Sequence, residues 1–141
     1  MTYATRDDLI KWSSTAELIQ LTDLSDPPTG EIDDDLVTVA LADADAEINS
    51  YISTGIATPV TPVPRILVQR ACAIARFRLA RDHASDRIQK DYDDAIAWCV
   101  LVSKGVVKLG DDVAPAQDTP AEKPKLSSAP RVFTRDSLRG L

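Results

Sequence analysis

"RILVQRACAIARFRLARD", residues Arg65 to Asp82, decides how the chain folds. Val68, Ala71, Cys72, Ala75 and Leu79 recur at spacings of three and four, which is the period of one helix face. Ile66, Ile74 and Phe77 fall on nearly the opposite side, interleaved with Arg70 and Arg81. A helix that is apolar on two sides is buried on two sides. In a chain of 141 residues the second side is expected to face another subunit.

The same period continues on both flanks. Downstream, a helix is expected from Ser85 or Asp86 to about Lys104, with Ile88, Tyr92, Ala95, Ile96, Cys99 and Val102 on one face, Trp98 at its edge and Gly105 just past its end. Upstream, "TGIATPVTPVP" is a loop, because a proline disfavours α conformation in the residue before it. Before that loop, Val37, Ala40, Leu41, Ala44, Ile48, Tyr51 and Ile52 mark a helix from about Asp34 to Ser53. Its other side carries the small residues Thr38, Ala42, Asp45, Ala46 and Asn49, against which another helix can approach closely. Thr5 with Asp8 three residues on is a capping-box variant opening a short helix, and Ser14 or Thr15 opens a second. The expected fold is all-α: a small bundle of about four helices over residues 1–110, a short extended segment "GVVKLG", and a long extended arm over 111–141.

Composition narrows the function. At 44% hydrophobic and 5% aromatic the chain can bury a core built mostly of aliphatic side chains and alanine. No apolar run approaches the 18 residues of a membrane span, the first residues lack a signal-peptide pattern, and a cytoplasmic protein is the default expectation. Charge is segregated. Residues 1–60 hold twelve acids against Arg6 and Lys11, a net −10; residues 61–110 hold nine bases and five acids, a net +4; residues 111–141 balance. Such a molecule can pair acidic side to basic side with its own copies, and it is a poor general binder of nucleic acid.

The acidic stretch "LTDLSDPPTGEIDDD", residues Leu21 to Asp35, imitates a calcium loop and fails the test. Aligning Gly30 and Ile32 with the loop's glycine and aliphatic positions puts Ser25, Pro27, Thr29, Asp33 and Leu36 where ligands belong, and only Asp33 qualifies. "DPPTG" reads as a turn and "DDD" as a helix start. No metal or cofactor is expected. His83 stands without an acid or cysteine partner, Cys72 and Cys99 sit on apolar helix faces, and Asp91, Asp93 and Asp94 read as a solvated face rather than an acid–base pair. With no Gly-rich phosphate loop and no CxxC pair, no enzyme is expected.

The arm begins as "DDVAPAQDTPAEKPKLSSAP", which has almost nothing to bury. It ends as "RVFTRDSLRGL", where Val132, Phe133 and Leu138 stand among Arg131, Arg135 and Arg139. Apolar anchors between charges at the end of a tether read as a docking peptide for another chain. Its 31 residues could reach about 100 Å.

Taken together, "YATRDDL", "LTD…GEID" before "ALADADAEINSYI", "VPRILVQRACAIARFRLA" and "DYDDAIAWC…GVVKLG" resemble the Mu-like phage and prophage family of head–tail connector proteins, also called adaptors or head-completion proteins. The resemblance runs from residue 3 to 110 and lies in the order and spacing of the pieces. It implies a helical bundle, a ring matching the twelve-fold portal, a downstream tail or stopper protein as a further partner, a place in the virion neck after assembly in the host cytoplasm, and a lumen that DNA crosses without specific binding. A ring needs two different surfaces that meet. The expected contact places Arg70, Arg78 and Arg81 against Asp43, Asp45 and Glu47 of the next subunit, with Ile66, Ile74 and Phe77 buried beside them. Arg131, Val132, Phe133, Arg135, Leu138 and Arg139 are expected to dock on the portal or on a neighbouring connector. The alternative is a small helical DNA-binding regulator using Arg65 to Arg81, which the net charge and the intervening apolar residues disfavour.

Overall fold

Side-chain oxygens set most of the helix starts. In the computed structural model, which describes residues 2–116, helix α1 spans Arg6–Trp12, α2 Thr15–Thr22, α3 Asp34–Ile52, α4 Arg65–Ala80 and α5 Asp86–Ser103. Thr5 Oγ1 accepts the Asp8 N–H at 3.2 Å while Asp8 Oδ2 accepts the Thr5 N–H at 3.0 Å, a complete capping box. Ser14 caps α2 and Ser85 caps α5. Asp33 caps α3, accepting from Asp35 and Leu36 at 3.0 and 3.1 Å. Each cap contributes about 1 kcal/mol. Gly105, with φ of 70°, follows the end of α5 as a left-handed C′ residue.

Helix α4 stops two residues earlier than its sequence pattern suggests. Arg81 takes φ of 50°, which ends the helix, and a 3₁₀ turn over Arg81–His83 leads to α5. With ψ of −128° this is a sparsely populated region for a non-glycine residue, costing about 1–3 kcal/mol, so the surrounding structure holds it there.

Much of the second apolar side of α4 is covered inside the chain, which corrects the expectation for Ile74 that it faces another subunit, while Ile66 and Phe77 stay half-buried. Helix α4 packs against α1, α2, α3 and α5 and buries Leu67, Ala71, Cys72, Ala73, Ile74, Ala75, Leu79 and Ala80. Ile74 is fully buried, Phe77 stacks on Tyr92 of α5 with ring centroids 4.0 Å apart, and Ile66 is half-buried against the core. Arg70, early in α4, meets Trp98, late in α5, while Arg76 and Phe77, further along α4, meet Asp91 and Tyr92 near the start of α5, so α5 lies antiparallel on α4. The alanines supply the room for close approach. Arg76 and Arg78, two of the arginines on which the DNA-binding alternative rests, are in ion pairs within the chain.

Helix α3 buries Val37, Ala40, Leu41, Ala44, Ile48 and Ile52 as its pattern implies, while Ala42 and Ala46 stay exposed. After α5 the chain returns to the end of α3. Ile56 bridges Pro115, Ala57 donates to the Ala114 carbonyl at 3.2 Å and Ala116 to the Gly55 carbonyl at 3.2 Å. The first residues of the expected arm, through 116, are therefore joined to the core. The docking residues Arg131, Val132, Phe133, Arg135, Leu138 and Arg139 lie outside the described residues.

Candidate functional site

Three arginines of this bundle, Arg6, Arg76 and Arg78, are committed to carboxylates within the chain. On the seam between α3, α4 and α5, Glu47 accepts from Arg78 Nη2 at 2.7 Å and from the Tyr92 hydroxyl at 2.7 Å. The Glu47 bond pushes the Tyr92 pKa up to about 12, with burial adding to it, and it raises that of Arg78. Tyr92 in turn stacks on Phe77. Across α2, α4 and α5, Arg76 bonds Glu17 and reaches Asp91 at 3.3 Å. Arg6 bonds Asp34 at 2.5 Å, both side chains being exposed, and this ties α1 to the start of α3.

These facts place the expected contact residues. Arg78 and Glu47 meet each other in one chain. Asp45 is buried and receives the Tyr3 N–H on both carboxylate oxygens, at 3.1 and 3.0 Å. Desolvation lifts its pKa to about 6, against the opposing pull of those two bonds. Asp43 and Arg81 are exposed. Arg70 lies 5.8 Å over the Trp98 ring, half-buried, with no hydrogen-bond partner at its buried Nε among the described residues. Among the described residues Asp43, Arg70 and Arg81 form no ion pair, and the structure joins Arg76 to Glu17 and Asp91 and Tyr92 to Glu47, pairings that no local sequence pattern marks.

The acidic turn is a folding device. Asp23 accepts the Gly30 N–H at 2.7 Å and the Ser25 N–H at 3.4 Å, and the Gly30 bond lowers its pKa. The buried Thr22 hydroxyl accepts the Asp33 N–H at 3.1 Å and donates to the Leu18 carbonyl at 2.8 Å. Carboxylates gather here because backbone donors of a turn and of a helix start need acceptors. No group of three His, Cys, Asp or Glu able to hold a metal occurs among the described residues. Burial pushes the thiols of Cys72 and Cys99 up to about 12 and about 11, far from nucleophilic. Asp93 and Asp94 are exposed, Asp93 accepting from Gln89 at 2.9 Å, while the Asp91 side chain, 31% exposed, reaches Arg76 at 3.3 Å, and His83 is exposed. No helix among the described residues is long and apolar enough to cross a membrane.

What the geometry defines is an all-α bundle whose polar side chains fix helices to one another and whose remaining charges lie on its surface. The family model described as Bacteriophage Mu, Gp36 matches residues 3–128, and the chain belongs to that family. It is 33% identical to the Mu-like prophage FluMu protein gp36 of Haemophilus influenzae (strain Rd), covering 98% of this chain and 96% of the relative. It is also 33% identical to Gene product J of Escherichia phage Mu, covering 96% of each.

Proposed function

We propose that this chain is a structural neck protein of a Mu-like phage: a head–tail connector that forms a ring of twelve copies under the portal, links the DNA-filled head to the tail through a downstream tail or stopper protein, and continues the DNA channel. It acts as a structural part and not as an enzyme. The observation that carries the reading is the division of surface charge that remains after in-chain pairing. Among the described residues, 1–60 keep Asp7, Asp26, Glu31, Asp35 and Asp43 exposed without an ion pair against Lys11, and 61–110 keep Arg65, Arg81, Arg87, Lys90, Lys104 and Lys108 against Asp82, Asp86, Asp93 and Asp94, so the excess is acidic in the first stretch and weakly basic in the second. Two unlike surfaces on one chain are what a closed heterologous ring requires. Membership of a phage Mu family supports the setting, and the likeness of the sequence to connector proteins supports the place in the virion. DNA must slide through the lumen, so acidic and neutral side chains of the first half are its lining, since each neutralised phosphate would add salt-dependent grip.

The reading is tested in a lysogen lacking this gene. Induced lysates should hold DNA-filled or leaking heads beside separate tails, and supplying the gene in trans should restore whole particles. Normal particles without the gene would reject the reading.

A further inference from the structure

Besides Val39, Leu101 and Val106, two exposed apolar features stand beside charged groups. One is Leu24, 62% exposed, held out by the acidic turn with Asp23 and Asp26 beside it. The bonds from Ser25 and Gly30 to Asp23 and from Asp33 to Thr22 fix that turn, so Leu24 is a preorganised knob rather than a loose side chain. The other is a groove between α1 and the start of α4, floored by Trp12, Val63 and Val68 and flanked by Lys11 and Arg65. Trp12 is 40% exposed, and Lys11 and Arg65 make no ion pair among the described residues. Asp8 also lines the groove; its carboxylate accepts from the N–H and hydroxyl of Thr5 and offsets part of the charge of Lys11 and Arg65. No residue of the turn lines the groove of its own chain.

We infer that the groove receives the Leu24 turn of a second copy of this chain, Leu24 against Trp12, Val63 and Val68, and the turn's Asp26 carboxylate against Lys11 and Arg65. The knob is apolar with acidic flanks; the groove is apolar with basic flanks. Because knob and groove are different parts of one surface, each copy can hold one neighbour and be held by another, which closes into a ring when the rotation permits. The contact rests on the ring reading above and names its seam. It moves that seam away from Arg78 and Glu47, which satisfy each other.

The test is disulfide trapping in the full chain, whose two native thiols are buried. Trp12→Cys protein mixed with Leu24→Cys protein should give a linked pair severalfold above Trp12→Cys mixed with Ser50→Cys, Ser50 being an exposed residue elsewhere. The double variant Trp12→Cys with Leu24→Cys should give a ladder of linked multimers. Equal yields with the Ser50→Cys control overturn the inference. So does preferential linkage of Trp12→Cys to Phe133→Cys, which would make the C-terminal segment the occupant. Should a cysteine variant fold poorly, charge reversal decides: Arg65→Glu should weaken self-association in sedimentation, and mixing it with Asp26→Arg protein should restore it; no restoration overturns the inference. Rings on portals without trapping reject this seam and leave the connector reading intact. Trapping without rings on portals does the reverse.

Discussion

Asp45 receives the backbone N–H of Tyr3 on both of its carboxylate oxygens, at 3.1 and 3.0 Å, deep against α3. The Tyr3 hydroxyl then donates to Asn49 and accepts the Val60 N–H at 3.1 Å. One buried carboxylate and one buried tyrosine thus fasten the first residues and the α3–α4 loop to the same helix.

This latch has a pH signature. The Asp45 pKa is raised to about 6 in the fold, above the ordinary aspartate value near 3.8. The folded state therefore holds its proton where the unfolded chain has released it, and this group's contribution to stability falls as pH rises from about 4 through about 6. Asp45→Asn, which keeps an oxygen acceptor for Tyr3, should remove that decline. Denaturant midpoints of both proteins from pH 4 to 7 should converge toward pH 4 and separate toward pH 7, the variant being the more stable there. Parallel curves would show that Asp45 is not the titrating group.

Arg76 holds two carboxylates at once. Its side chain is 12% exposed, and Glu17 and Asp91 are each partly buried beside it. Arg76→Ala should cost about 2–4 kcal/mol, because it leaves two carboxylates facing each other without a cation. Chemical denaturation measures this. A loss below about 0.5 kcal/mol, the scale of an exposed pair, would mean the network is solvated.

Tyr92→Phe separates stacking from hydrogen bonding. The ring still lies on Phe77, but the 2.7 Å bond to Glu47 is gone. The expected loss is about 0.5–1.5 kcal/mol, and it should shrink in a Glu47→Gln background if the two residues are coupled. Equal losses in both backgrounds would break the link.

The bonds of Ala57 to Ala114 and of Ala116 to Gly55 set where the core can be cut. A chain ending at Ala116 should unfold cooperatively at the temperature of the full chain. One ending at Gly110 should melt several degrees lower, as it loses two backbone bonds and uncovers Ile56. If residues 131–141 are the docking element, the chain ending at Ala116 should also fail to stay on portals; equal retention would remove the arm from that role.

Much of this fold is legible in the sequence, for local reasons. Thr5, Asp33, Ser85 and Gly105 act within four residues of themselves, so their capping roles follow from spacing. The buried face of α3 follows from its period. Distant pairings are not legible. Arg76 and Glu17 are 59 positions apart, and Tyr3 and Asp45 are 42 apart, so no local pattern marks them. Asp45 carries the composition of an exposed charge and the location of a buried one. The two apolar sides of α4 are correct as read; what a sequence cannot say is whether α5 or a neighbouring subunit covers the second. For the candidate site, net charge was visible, but which arginines had already found a carboxylate within the chain was not.

The central claim is assembly of a ring at the portal. Electron microscopy of the full chain incubated with the portal of its own phage tests it most directly. Twelve copies are expected in a closed ring, coaxial with the portal and continuing its channel. Portals that remain bare, or that carry this protein only as scattered single copies, would contradict it.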